Sequence, residues 1–136
     1  MEIRVVPGGI QSVEDDLIVV NLFEGALAPG GATAAVDRAL GGAIAEAIAG
    51  GDLRGKKGET ALFYPRGALP ARRVVVVGLG KEDGFGLDKV RWASAAAARK
   101  ARELGVRSYS SIVHGTGAGA LPPDAKKTRG AEINQA

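Results

Sequence analysis

The chain contains no cysteine. Disulfides and thiolate metal sites are therefore excluded, and a reducing compartment suits the composition. Histidine and tryptophan occur once each, at His114 and Trp92. One histidine without cysteine cannot supply a usual zinc ligand set. Aromatic residues make up only 4% of the chain, so the core has to be built from Val, Ile, Leu and Ala, which favours close packing of helices on a sheet. No apolar run approaches the roughly 20 residues that a membrane span needs. The opening MEIRVVPGG lacks the basic-then-apolar pattern of a secretory signal, so a cytoplasmic protein is expected. The excess of positive charge is small: +3, with a pI near 9.4. Charge of this size favours solubility and weak attraction to polyanions without defining a nucleic-acid binder.

What is present is a chain of 136 residues, 46% hydrophobic and rich in glycine and alanine. Its length suits one globular domain with a real core. Glu2 to Val6 predicts a short strand closed by Pro7-Gly8-Gly9. Asp16 to Phe23, DLIVVNLF, is nearly continuously apolar, as expected of a strand covered on both faces. A helix is expected over Thr33 to Ala49, with Thr33 as its cap and Val36, Leu40, Ile44 and Ile48 as its buried stripe. Gly41-Gly42 falls inside that helix, where close approach to the sheet would account for it, and Gly50-Gly51 stops it. Further strands are expected over Glu59 to Pro65, through the valines after Arg72-Arg73, and over Tyr109 to His114. A second helix is expected over Leu87 to Leu104. Alternating strands and helices predict an α/β fold of three layers, with a mixed, mostly parallel sheet and helices on its faces. Residues 1–119 read as the domain. Residues 120–136, with paired prolines and mixed charge, read as a linker or a disordered tail.

The stretch RRVVVVGLGKEDGFG, Arg72 to Gly86, has the outline of a nucleotide-binding turn: a buried strand, then glycines and a lysine. The dinucleotide fingerprint G-x-G-x-x-G needs glycine where Asp83 stands, and that carboxylate would face a pyrophosphate. The phosphate loop G-x-x-x-x-G-K-[ST] needs glycine at Val75 and a hydroxyl at Glu82. Neither pattern is met, and the glycines read as chain reversal off a buried strand. A second run, Gly115, Gly117 and Gly119 after His114, allows two readings: a linker, or an anion-binding nest of backbone N–H groups.

Catalytic constellations are not evident. Ser94, Ser108, Ser110 and Ser111 have no base nearby in sequence, and Asp15-Asp16 reads as a solvated turn. Projected at about 100° per residue, the second helix places Leu87, Val90, Ser94, Ala97, Ala98, Ala101 and Leu104 on its inner side. Trp92 falls opposite, near Asp88, Ala96, Arg99 and Glu103. Tryptophan beside arginine is typical of interfaces, so Trp92, Ala96 and Arg99 are the candidate docking surface. The basic residues are scattered without interleaved aromatics, which argues against base stacking on nucleic acid.

Three stretches, DRALGGAIAEAI (Asp37 to Ile48), GDLRGKKGET (Gly51 to Thr60) and RRVVVVGLGK (Arg72 to Lys81), occur in an order and spacing that resembles the N-terminal domain of the leucyl aminopeptidase, or cytosol aminopeptidase, family. The likeness extends over about Glu2 to Gly119. It implies a macro-domain-like α/β fold that precedes a separate catalytic domain. In such a parent that domain would hold two divalent metals, zinc or manganese, remove N-terminal residues from peptides with metal-activated water, and assemble into a hexamer. The family's metal ligands and catalytic residues belong to that second domain, so none is carried onto this chain and no catalytic, cofactor or metal residue is assigned here. The resemblance to macro folds also raises ADP-ribose, or another phosphate ligand, as the alternative for a stand-alone module.

Overall fold

The computed structural model describes residues 2–6, 9–84, 86–112 and 114. Strands β1 (Glu2–Val5), β2 (Ile18–Phe23), β3 (Thr60–Phe63), β4 (Val74–Gly80) and β5 (Ser108–Ser111) form one sheet in the order β1-β5-β2-β4-β3. The pairs β1–β5, β5–β2 and β2–β4 are parallel, and β3 runs antiparallel to β4 at one edge. Helices α1 (Gly31–Ala39) and α2 (Ala43–Ala49) lie against one face, and α3 (Leu87–Leu104) against the other. The architecture is thus the three-layer, mostly parallel α/β arrangement expected from the pattern of strands and helices. The glycine-rich run from Gly115 and the segment 120–136 lie outside the described residues.

Strand alternation divides the core in two. Leu17, Val19, Val75, Val77 and Leu79 point toward α3 and meet Val90, Ala93, Ala97 and Ala101. Ile18, Val20, Leu22, Val74 and Val76 point to the other face and meet Val36, Ile44, Leu53 and Ile112. All seven residues of β4 are buried. Each valine placed there contributes about 1.5–3 kcal/mol of apolar burial, which explains why the valine run forms an interior strand.

Three local expectations change. The single helix over Thr33 to Ala49 is two helices, broken at Gly41 and Gly42, whose φ angles are +69° and +87°. A Cβ at either glycine would meet open space, so the pair serves the left-handed backbone of the break and not close approach to the sheet. Asp37 is buried and accepts the Ile44 and Ala45 N–H groups at 2.7 and 3.3 Å, capping α2 from across the break. Gly30 occupies the cap position of α1, and Thr33 instead joins α1 to β2. Its hydroxyl donates to the Asn21 carbonyl at 2.7 Å and accepts the Asn21 N–H at 3.3 Å.

The inner face of α3 also differs from the projection. Val90, Ala93, Ala96, Ala97 and Ala101 are buried, whereas Leu87 is 43% exposed. Ala95 to Ala98 is a run of alanines without period, so the helix can seat any of several small faces against the sheet. It turns Ala93, Ala96, Ala97 and Ala101 to the sheet.

Candidate functional site

Gly78 and Gly80 end β4, and the loop Gly51 to Glu59 folds directly over them. A Cβ on Gly78 would lie 1.9 Å from the Lys56 carbonyl oxygen. The Gly78 N–H donates to the Glu59 carbonyl at 2.7 Å, and the Gly80 N–H donates to the Gly55 carbonyl at 2.9 Å. In return the Gly78 carbonyl accepts the Gly58 N–H at 3.1 Å. The backbone donors that a phosphate would need at this turn are thus taken by the protein's own loop. Gly55 completes the contact: its φ is +77°, and a Cβ there would lie 2.5 Å from the Phe23 carbonyl oxygen. Gly78 is glycine because two backbones meet, and Gly80 because its φ is +78°, where the chain turns off the strand; both reasons are architectural, which answers the resemblance to a nucleotide turn.

The loop has its own internal clasp. Glu59 Oε1 accepts the N–H groups of Arg54, Gly55 and Lys56 at 3.0, 2.7 and 3.2 Å. Consecutive N–H groups converging on one oxygen form the kind of concavity that holds anions, here filled by the chain's own carboxylate. The clasped loop delivers Lys57 across Gly80 to α3, where its Nζ lies 4.1 Å from the centre of the Trp92 ring. Lys57, Gly86, Leu87, Asp88 and Trp92 line an open cleft of about 380 Å³. Lys89 Nζ braces one wall by donating to the Lys81 and Asp83 carbonyls at 3.2 and 3.3 Å.

Of the three residues expected to form a docking surface, Trp92 is 54% exposed and Arg99 is exposed, but Ala96 is 2% exposed and packs into the α3 core. Ala96 is therefore not part of that surface. The residues beside Trp92 are Lys57 and Leu87. Sequence reading missed Lys57 because it stands 35 positions before Trp92, and only the fold over the glycines joins them.

At the carboxyl edge of the sheet, His114 is buried. Its Nδ1 lies 3.1 Å from Asn21 Nδ2. The amide donates to Nδ1, which leaves the ring proton on Nε2. Burial pushes the imidazole pKa down to about 4, so the ring is neutral near pH 7. With its lone pair engaged by Asn21, it offers no free base. Gly115, Gly117 and Gly119 follow it in sequence and lie outside the described residues.

At the opposite edge, Asp15 is buried and not the solvated turn expected. Its carboxylate accepts Ser108 Oγ at 2.6 Å, Ser110 Oγ at 2.8 Å, the Asp16 N–H at 2.8 Å and Arg4 Nη1 at 3.0 Å. Arg4 also pairs with Glu2. Burial raises the Asp15 pKa, but the hydrogen bonds from Ser108, Ser110 and Asp16 and the Arg4 charge outweigh it, and the net shift is downward. Both serine hydroxyls donate to an acid held ionised, an arrangement that ties β1, β5 and the approach to β2 together and supplies no nucleophile. Among the described residues, no three His, Asp or Glu side chains converge to hold a metal, so no step through a metal is derived for this chain.

Three helical and sheet layers in this order define a macrodomain-type α/β fold. The structure is similar to the Mycobacterium tuberculosis DarG macrodomain, with a TM-score of 0.73 and 16% identity over 98% of this chain and 90% of that one. It is also similar to a Trypanosoma brucei macrodomain in complex with ADP-ribose (TM-score 0.77, 24% identity, 98% and 56% covered) and to a tomato leucine aminopeptidase (TM-score 0.73, 20% identity, 98% and 26% covered). The family profile for the cytosol aminopeptidase family, N-terminal domain, matches residues 19–117, and the chain belongs to that family. A probable cytosol aminopeptidase of Roseiflexus castenholzii is 37% identical over 113 residues, which cover 83% of this chain and 21% of the relative. One of Alkaliphilus oremlandii is 30% identical over 122 residues, covering 90% and 24%. The chain spans less than a quarter of the length of these relatives.

Proposed function

We propose that the chain is a non-catalytic module of a leucyl aminopeptidase, acting in assembly or in control of access to an active site carried by another domain. The observation that carries this reading is the family match over 19–117 in a chain that covers 21% of the Roseiflexus castenholzii relative. The chemistry on the chain supports it: Gly78, Gly80 and Glu59 are engaged internally, His114 has its lone pair occupied, and Asp15 is a structural acid. In this reading the remaining part of the parent holds two divalent metals, zinc or manganese, works by metal-activated water, and assembles with this domain into a homo-oligomer, a hexamer by the family likeness.

The test is a graft. This chain, placed over the matching segment of the Roseiflexus castenholzii relative, should preserve its assembly and its turnover of leucine amides with manganese. Deleting that segment should impair one of them. A deletion indistinguishable from the intact relative contradicts the proposal, as does turnover of leucine amides by this chain alone.

The competing ligand-module reading rests on one observation: the His114–Asn21 pair lies at the carboxyl edge of the parallel strands, where open α/β sheets receive ligands, and glycines 115, 117 and 119 follow His114 in sequence. Titration calorimetry with ADP-ribose separates the two. Micromolar binding supports the ligand module, and no heat supports the assembly role.

A further inference from the structure

Two opposite charges beside Trp92 are left unsatisfied by the fold. Asp88 stands four residues before Trp92, one turn earlier on the same side of α3. Lys57 reaches the ring from the loop that crosses Gly80, its Nζ 4.1 Å from the ring centre. Both side chains are exposed and line one cleft, yet among the described residues no ion pair joins either to the other or to a third group. Lys89, the remaining charge in the cleft, is committed to the Lys81 and Asp83 carbonyls. Trp92 and Leu87, 54% and 43% exposed, add an apolar surface to the same walls.

Opposite charges that share one ring without satisfying each other are the complement of a molecule that carries both. The cleft, about 380 Å³, lies at the small end of ligand sites. The seven residues lining it are few beside the roughly 20–30 per side of a stable protein interface, so its size suits a small molecule. We propose that the cleft binds a small zwitterion with an apolar side chain, a hydrophobic α-amino acid or short peptide. Asp88 receives the ammonium, Lys57 the carboxylate, and Trp92 and Leu87 the side chain. The walls are set before binding: Glu59 clasps the loop that carries Lys57, and Lys89 holds the 81–84 loop. Little ordering is then required of the protein. A ligand this small on an open surface should dissociate at about millimolar concentration. The inference does not rest on the aminopeptidase role: grafting and turnover test that role, whereas ligand binding by the isolated chain tests this one.

The experiment titrates the full chain with leucine and with leucyl-leucine while indole emission is followed. Trp92 is the only tryptophan, so emission reports this cleft. Emission should change saturably with at least one of the two, and the tighter ligand decides between amino acid and peptide. Glycine keeps both charges but lacks the side chain, and should leave emission unchanged at the same concentrations. N-acetylleucine lacks the ammonium and leucinamide the carboxylate; each should bind about three- to fivefold more weakly than leucine, the range of exposed ion pairs. Leucinamide should be the weaker, because two lysines line the cleft against one aspartate. Lys57→Ala should erase the preference for leucine over leucinamide, and Asp88→Asn the preference over N-acetylleucine, each leaving the other preference in place. Both variants change exposed side chains, and circular dichroism verifies their fold. No saturable change with either leucine or leucyl-leucine overturns the proposal. So does equal binding of leucine, leucinamide and N-acetylleucine, which would reduce the cleft to an apolar patch, or a selectivity that survives both substitutions, which would place the site elsewhere.

Discussion

Two neighbouring surfaces of this molecule have opposite characters. The turn after β4 spells most of a nucleotide motif, yet its donors are spent: Gly78 and Gly80 give their N–H groups to the Glu59 and Gly55 carbonyls. The start of α3 spells no motif, yet it leaves an indole, a leucine and two opposite charges facing solvent. The difference teaches that a functional surface is recognised by what remains unsatisfied after folding. Glycine spacing records only that a backbone had to pass close or turn.

The largest effect should come from closing the tight side of this comparison. Gly78→Ala would put a methyl carbon 1.9 Å from the Lys56 carbonyl oxygen, with the Gly55 and Lys56 carbonyl carbons at 2.7 and 2.8 Å. We expect a loss of about 3 kcal/mol or more in urea unfolding, at the upper end of overpacking costs. Gly41→Ala, where only the left-handed φ is strained and space is open, should cost about 1–2 kcal/mol. Equal losses at the two positions would break the distinction between close approach and backbone handedness.

Acid should act next, through two groups with the same sign. His114 has its pKa lowered to about 4 by burial, so between the ordinary value of 6.5 and about 4 the unfolded chain binds a proton that the folded chain refuses. Stability is then complete above 6.5 and falls through that window, by roughly 3 kcal/mol at its lower end. Asp15 has its pKa lowered from 3.8, so its contribution is complete above that value and is lost as the pH drops through the lower folded one. Urea midpoints measured from neutral to acid pH should fall in two stages. His114→Gln should flatten the first and Asp15→Asn the second; a profile flat from pH 6.5 to about 4 would contradict the buried neutral imidazole.

Smaller effects follow at the caps and on the surface. Asp37→Ala removes the acceptor for the Ile44 and Ala45 N–H groups and should cost about 1 kcal/mol, read by thermal unfolding. Lys57→Ala removes only the exposed contact over Trp92 and should cost about 0.5–1 kcal/mol or less. A loss as large as that of Gly78→Ala would mean that the open surface also holds the fold together.

Much of this architecture was legible in the chain. The valine run and DLIVVNLF are apolar on both parities, and only strands buried on two faces need that, so β2 and β4 could be read directly as interior strands of a mostly parallel sheet; that they pair with each other came from the structure. The order DRALGGAIAEAI, GDLRGKKGET, RRVVVVGLGK carried the family. What was not legible depended on distance in sequence. Asp15 looked solvated because Ser108 and Ser110, which bury it, lie more than ninety residues away. Ala96 looked exposed because a run of alanines has no period to fix the rotation of α3. The break at Gly41-Gly42 was masked by the stripe from Val36 to Ile48, which keeps facing the core through both helices. The Lys57–Trp92 contact required the loop to cross β4, a consequence of Gly78 and Gly80 that no local pattern announces.

The most direct test of the account is the behaviour of the Gly78 and Gly80 amides in nuclear magnetic resonance. Both should resist exchange with solvent deuterium to the degree of the β4 interior, and neither resonance should move when millimolar ADP-ribose, ATP or NAD is added. Rapid exchange at these two amides, or a shift on nucleotide addition that saturates, would contradict the claim that these donors belong to the fold.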